Sequence, residues 1–169
     1  ELARYIMTDL KEFRKIQRDD TLGGMVICET SEQARRLYDV FQEEWQKYQP
    51  KPIKIKLSDG SYVVGEPEVD YKSKYRPLKA GIILHDTDDK ETRKQIVKDF
   101  KKNMTVDILI VFNMLLTGFD APRLKRLYFG RKLKDHNLLQ AITRVNRPYP
   151  GMRYGFVIDF ADIKRNFKE

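Results

Sequence analysis

The sequence predicts an α/β fold with a mainly parallel sheet, on three observations. Met25-Val-Ile-Cys28, Ala80-Gly-Ile-Ile-Leu84 and Asp107-Ile-Leu-Ile-Val-Phe112 are continuous apolar runs, the pattern of strands buried on both faces. Segments of helical period lie between such runs, and strands alternating with helices imply a sheet with helices on both faces. Residues 50–79 break this rhythm and read as a small hairpin inserted on the surface.

In order along the chain, residues 1–18 carry Leu2, Tyr5, Ile6, Leu10, Phe13 and Ile16 at helical spacing with charges between them, and Asp19-Asp-Thr-Leu-Gly-Gly24 ends that helix. After the strand at 25–28, Glu29-Thr-Ser31 opens a second helix. Thr30 and Gln33 have capping-box spacing, and Ala34, Leu37, Tyr38, Phe41, Trp45 and Tyr48 form its buried stripe. Hydroxyls such as those of Thr30 and Ser31 at a strand's carboxyl end can hold a phosphate, or can serve only as helix caps. Ile53, Ile55 and Leu57 alternate with lysines, and Ser58-Asp-Gly-Ser61 is a turn signal before Tyr62-Val-Val64; residues 66–77 form a polar connector. Beyond the strand at 80–84, His85-Asp-Thr87 is a loop. Asp88 and Glu91 have capping-box spacing, and Ile96, Val97 and Phe100 line one side of a helix reaching about residue 102. A lone histidine such as His85 is more often structural than catalytic. The strand at 107–112 opens into a loop holding Thr117, Gly118 and Asp120, followed by a strand at 126–129, a helix at 135–147 and a strand at 154–159.

The chain has 169 residues, room for one domain with a real core. Its 41% hydrophobic and 11% aromatic residues argue for a globular fold. The net charge is +8, and residues 123–153 hold nine Lys/Arg against one acid, Asp135, so the whole excess sits there. A local positive field at a sheet edge favours a polyanion: nucleotide, nucleic acid or both. The single cysteine, Cys28, excludes an internal disulfide and fits a reducing, cytoplasmic compartment. No run of about 18 apolar residues occurs, so no membrane span is expected. The start at Glu1, without Met, is read as a fragment of a longer protein.

The sharpest signal is the helix at 135–147. At roughly 100° per residue, Leu138, Leu139, Ile142 and Val145 cluster on one side, and Gln140, Arg144 and Arg147 fall within roughly 60° on the other. One face packs on a sheet; the other offers two guanidiniums and an amide. Arginine suits phosphate because its planar fork donates bidentately and stays charged. On an arbitrary helix such a face is more often a solvated basic surface.

Four of these segments, in order, resemble the motifs of the second RecA-like domain of superfamily 2 helicases and translocases. Met25-Val-Ile-Cys-Glu-Thr30 looks like motif IV; Leu84-His85 with Arg93 and Phe100 looks like the strand–His–helix block after it; Thr117-Gly118-x-Asp120 looks like motif V; Gln140-x-x-x-Arg144-x-x-Arg147 looks like motif VI. The phrases at 85–91, 106–111, 115–122 and 138–147 are most similar to the motor (R) subunit of type I restriction endonucleases. Thr143, Thr117 and Asn113 depart from the general helicase pattern in a way that fits this branch.

The resemblance implies a three-layer RecA-like domain that closes over ATP and Mg²⁺ held mainly by a first RecA-like domain. Arg144 and Arg147 would be arginine fingers. Gly118, Asp120 and Gln140 would complete the nucleotide side, and Thr30, Ser31, His85 and Thr117 would face DNA phosphates. Implied partners are duplex DNA, the first RecA-like and nuclease domains of the same chain, and methyltransferase and specificity subunits. The phosphate loop G-x-x-x-x-G-K-[ST] is absent, no nuclease constellation is evident, and Asp88-Asp89 reads as a cap with no metal role. The isolated fragment is therefore expected neither to hydrolyse ATP nor to cut DNA. The alternatives are the C-terminal helicase domain of a type III restriction or repair enzyme, and a non-catalytic basic nucleic-acid-binding module. Read as strand-end features, Thr30, His85, residues 117–120 and the helix at 135–147 are all expected at the carboxyl edge of the sheet.

Overall fold

The computed structural model describes residues 1–48, 53–65, 76–84, 89–112, 119–133 and 135–160. The elements run α1 (Leu2–Gln17), β1 (Gly23–Ile27), α2 (Ser31–Tyr48), β2 (Ile53–Lys56), β3 (Tyr62–Gly65), β4 (Ala80–Leu84), α3 (Lys90–Lys98), a π turn (Asp99–Asn103), β5 (Ile108–Phe112), β6 (Leu124–Phe129), α4 (Asp135–Val145) and β7 (Phe156–Asp159). A five-stranded sheet of order β4-β5-β1-β6-β7 is parallel throughout. β2 and β3 form a separate antiparallel hairpin. Its turn places Gly60 at φ 87°, a conformation that Gly adopts at no steric cost.

Two apolar layers sandwich the sheet. Ile6, Leu10, Phe13, Leu37 and Phe41 of α1 and α2 pack on one face with Val26, Ile110 and Tyr128. Phe100, Leu138, Ala141 and Val145 pack on the other with Met25, Leu109 and Leu127, so α3 and α4 share that face. A Cβ on Gly23 would stand 2.6 Å from the Phe100 ring, so the π turn approaches β1 because that position has no side chain. Among the described residues, no helix is long and apolar enough to cross a membrane.

Several expected stripes are narrower than the periodicity suggests. Tyr5 and Ile16 of α1 are exposed, and so is Leu139 of α4, which meets the core through Leu138, Ala141, Ile142 and Val145. The cap of α3 is Asp89, one residue later than expected; its carboxylate accepts from the Thr92 backbone N–H at 2.8 Å and from the Thr92 hydroxyl. The described part of the helix beyond that cap ends with a π turn and Met104 in the left-handed region.

Charged groups inside the domain fix the amino-terminal edge of the sheet. Asp107, 1% exposed, accepts from Arg14 at 2.9 Å, from Arg76 at 2.7 Å and from the Lys79 backbone N–H at 2.8 Å. It thus joins α1, the approach to β4 and the approach to β5. Arg14 also donates to the Leu22 carbonyl at 2.7 Å. Farther along α1, Asp9 accepts two hydrogen bonds from Arg126 and one from Tyr128, both of β6. Arg126 in turn lies over the Phe13 ring, 4.7 Å from its centroid.

Two outcomes follow. Asp107→Asn removes the charge that compensates two guanidiniums and should cost about 3–5 kcal/mol, the range for breaking a buried ion pair. Urea unfolding followed by Trp45, the single tryptophan, measures it. For Asp9, burial works to raise the carboxyl's pKa, but the hydrogen bonds from Arg126 and Tyr128 and the Arg126 charge outweigh it, leaving the pKa below the ordinary 3.8. A depressed carboxyl stabilises the fold above the unfolded value and loses that contribution as pH falls through the folded one. Melting temperatures of wild type and Asp9→Asn should therefore converge as pH drops below 3.8.

Candidate functional site

The site is built where the loop after β5 meets the end of α4. A helix that follows a parallel strand must run back along it. The eleven residues of α4 cover about 16 Å at 1.5 Å per residue, and the six of β6 about 20 Å, so the end of α4 returns to the start of β6. Lys125, the second residue of β6, holds it there. Its side chain is fully buried, and its ammonium donates to the carbonyls of Val145, at 3.3 Å, and Arg147. Burial pushes the Lys125 pKa below the ordinary lysine value of 10.5. The Val145 carbonyl is one of those that a helix end leaves without partners, and the Arg147 carbonyl follows just past that end.

This anchor aims the two arginines. Arg144 donates from Nη1 to the Phe119 carbonyl at 2.8 Å and is half-buried. Arg147 lies just past the end of α4, with Nε 3.5 Å from the Asp120 carboxylate; the two side chains are 51% and 53% exposed. The loop and the helix therefore meet through Phe119–Arg144 and Asp120–Arg147, the grouping that the motif resemblance implies. Gln140 is half-buried one turn earlier, its amide nitrogen 2.6 Å from the His136 Nε2.

This cluster sits at the amino-terminal edge of the sheet. Thr30 and Ser31 lie at the opposite, carboxyl edge, at the end of β1. The expectation that all candidate spots share one edge is thus corrected. Helical periodicity tells which residues share a face; it does not tell which end of the helix carries them. The Thr30 hydroxyl oxygen accepts from the Gln33 backbone N–H at 3.0 Å, which makes it the cap of α2, and the Gln33 side chain accepts from the Glu29 N–H at 2.8 Å. Thr30 is exposed and Ser31 half-buried. His85, Thr117 and Gly118 lie outside the described residues.

The positive field of residues 123–153 is also smaller than its residue count. Arg123 is 2% exposed, donates to the carbonyls of Thr21, Phe100 and Val106, and lies 4.6 Å from the Phe100 centroid. Burial lowers its pKa to about 10. With Lys125 buried and Arg126 paired to Asp9, three of those cations serve the interior. Sequence reasoning missed this role; Arg123 and Lys125 sit in a strand-like context, Arg-Leu-Lys-Arg-Leu, that offered the one available hint.

A cavity of about 550 Å³ lies on the far face of the sheet, between α1 and α2, lined by Leu2, Thr30, Gln33 and Arg36 among others. It is remote from Arg144 and Arg147. Among the described residues, no group of three or more His, Cys, Asp or Glu side chains comes together to hold a metal.

Residues 21–162 match the family of type I restriction enzyme subunit R, domain 3. A Methanocaldococcus jannaschii protein named as the type I restriction enzyme MjaVIIP endonuclease subunit is 50% identical over 72 residues, 43% of this chain and 7% of that protein. Its MjaIXP counterpart from the same organism is 30% identical over 155 residues, 91% of this chain and 13% of that protein. The chain thus spans a small fraction of the length of these relatives. The structure of Mss116p DEAD-box helicase domain 2 bound to an RNA duplex superposes with a TM-score of 0.55 at 17% identity, over 95% of this chain and 51% of that one. That likeness is one of fold: a RecA-like second helicase domain. Because the family match covers most of the sequence, the chain belongs to the domain 3 family of type I restriction enzyme R subunits.

Proposed function

We propose that this domain is the second motor domain of an ATP-dependent translocase on duplex DNA, closing over a nucleotide held mainly by a first RecA-like domain. The observation that carries the reading is the Asp120–Arg147 pair. At 3.5 Å and half exposed, it leaves a guanidinium at a rim, held by a contact of the kind worth about 0–1 kcal/mol. An incoming triphosphate displaces such a pair at small cost and receives a bidentate donor in exchange. Asp120, released, is then placed to accept from a ribose hydroxyl. Arg144 is the second finger, and its bond to Phe119 couples helix and loop so that both move together. Gln140 orients the same site, and Gly118 belongs to the same loop.

The donor set here fits a polyphosphate and does not fit a metal, since two guanidiniums and an amide stand with a single carboxylate, Asp120, and among the described residues no group of three or more His, Cys, Asp or Glu side chains comes together. Mg²⁺ is therefore assigned to the first domain, and no step passes through it in this one. Charge stabilisation of a transferring phosphoryl group by an arginine finger contributes about 10³–10⁵ in rate. Thr30 and Ser31 at the carboxyl edge, and by the motif resemblance His85 and Thr117, would contact backbone phosphates without reading bases, as movement along any sequence requires. The duplex held by Mss116p domain 2 supports a nucleic-acid partner on this fold. Nuclease, methyltransferase and specificity functions are assigned to other domains and subunits of the assembly.

In the full-length subunit, Arg147→Ala is expected to lower ATP turnover about 10³-fold while ATP binding stays within a few-fold of wild type. Arg144→Ala should do the same and also loosen the loop at 119–123, read by hydrogen exchange. If either variant instead weakens DNA binding and leaves turnover intact, the domain is a basic binding module and the motor reading fails. Thr30→Asp keeps a good helix cap but sets a negative charge where a phosphate should sit. Its melting temperature should hold while duplex affinity falls about tenfold.

A further inference from the structure

A second cationic feature lies on α3, the helix that carries Arg93 of the strand–His–helix block, away from Arg144 and Arg147. α3 packs over β4, the terminal strand of the sheet, and a groove of about 460 Å³ runs along the helix. Ile83 and Val97 form its floor. Lys90, Arg93, Lys94, Lys98, Lys101 and Lys102 line its walls, six cations within thirteen residues of sequence. At roughly 100° per residue, Lys90, Lys94 and Lys98 of α3 fall within about 80° of one another and form one stripe, which Lys101 and Lys102 of the π turn follow.

The acids on this element are engaged with other groups. Glu91 pairs with Lys94 at 3.0 Å. Asp99 accepts from the side-chain amides of Gln95 and Asn103. Asp89 accepts from Thr92 as the helix cap. Among the described residues, none of the ion pairs found involves Lys90, Lys98, Lys101 or Lys102. A stripe of like charges at neighbouring helical positions repels itself and lowers helix stability. It is tolerable where a polyanion supplies the missing charge.

We propose that this α3 groove is a second binding site for the phosphate backbone of duplex DNA, separate from the Thr30 edge and from the nucleotide-facing arginines. The inference rests on the reading of this chain as a DNA motor domain. The stripe and its continuation into the π turn are about 17 Å long, a length over which duplex DNA presents on the order of ten phosphate charges, so several lysines engage at once. The lysines are point charges on flexible stems, suited to contacts that must be made and released at any sequence. The apolar floor at Ile83 and Val97 carries the lysine stems.

The experiment uses the full-length subunit carrying Lys90→Gln, Lys98→Gln and Lys101→Gln together, with a 30-base-pair duplex as probe. The expected result is a duplex affinity lowered roughly tenfold or more at about 0.1 M salt. The slope of log affinity against log salt should become shallower by about 0.9 for each phosphate that is no longer neutralised. The matching triple Lys→Arg variant should retain wild-type affinity and slope. Trp45 melting curves check that both variants fold. An unchanged slope in a folded Lys→Gln variant overturns the proposal, as does weakened assembly with the methyltransferase at unchanged duplex affinity, which would make the groove a protein-docking surface. An equal loss for a single strand of the same length overturns the duplex assignment. Failure here with the Arg147→Ala turnover loss intact removes the groove and keeps the motor; the converse removes the motor and keeps the groove.

Discussion

The buried ammonium of Lys125 is the interaction on which the placement of Arg144 and Arg147 depends. It is a cation with no carboxylate partner among the described residues, satisfied by the carbonyls of Val145 and Arg147. Taking an ammonium out of water is expensive unless oxygen acceptors replace the water. The end of α4 supplies them, because the last carbonyls of any helix lack intrahelical donors and carry its negative end. Each side thus meets the other's need, and the result is positional. The terminal turn of α4 is fixed over the start of β6, and Arg144 and Arg147 inherit their directions from it. Arg123 repeats the device two residues earlier, collecting the carbonyls of Thr21, Phe100 and Val106 under the π turn.

The anions work in the opposite sense. Asp107 gathers two guanidiniums and a backbone N–H, and Asp9 clamps α1 across β6. Hydrophobic contact alone is non-directional and would tolerate α1 sliding along the sheet. These bonds specify one position, since a shift of one residue would leave a buried charge without a partner, and that is costly. The amino-terminal edge is therefore held rigid by charge, while the carboxyl edge carries capped helix starts and exposed hydroxyls.

Most of the architecture was legible because buried parallel strands leave a plain signature. The run at 80–84 marks β4 to the residue, and 107–112 overshoots β5 only by Asp107, whose burial is ionic and not apolar. The hairpin and all four helices were likewise readable from alternation and period. The meeting of Asp120 with Arg147 was implied only by the motif resemblance, not by periodicity or spacing. What periodicity could not supply was direction and depth. It placed Arg144 and Arg147 on a face and left open which edge of the sheet they reach. It also treated Arg123, Lys125 and Arg126 as surface charge, since one sequence cannot show that a carbonyl cluster or Asp9 awaits them. Leu139 was misassigned because it stands roughly 100° round the helix from Leu138, at the margin of the stripe that Leu138, Ala141, Ile142 and Val145 present to the core.

The strand order has a consequence for how the chain reaches this state. The first strand is the central one, and Met25 pairs with Leu109 on one side and Leu127 on the other. No tight hairpin seeds the main sheet, so long loops must close before any of its ladders form, and that closure is entropically slow. During synthesis β1, α1 and α2 leave the ribosome with no sheet neighbour and wait, apolar faces uncovered, until the second half of the domain emerges. That interval is when aggregation competes most strongly with folding.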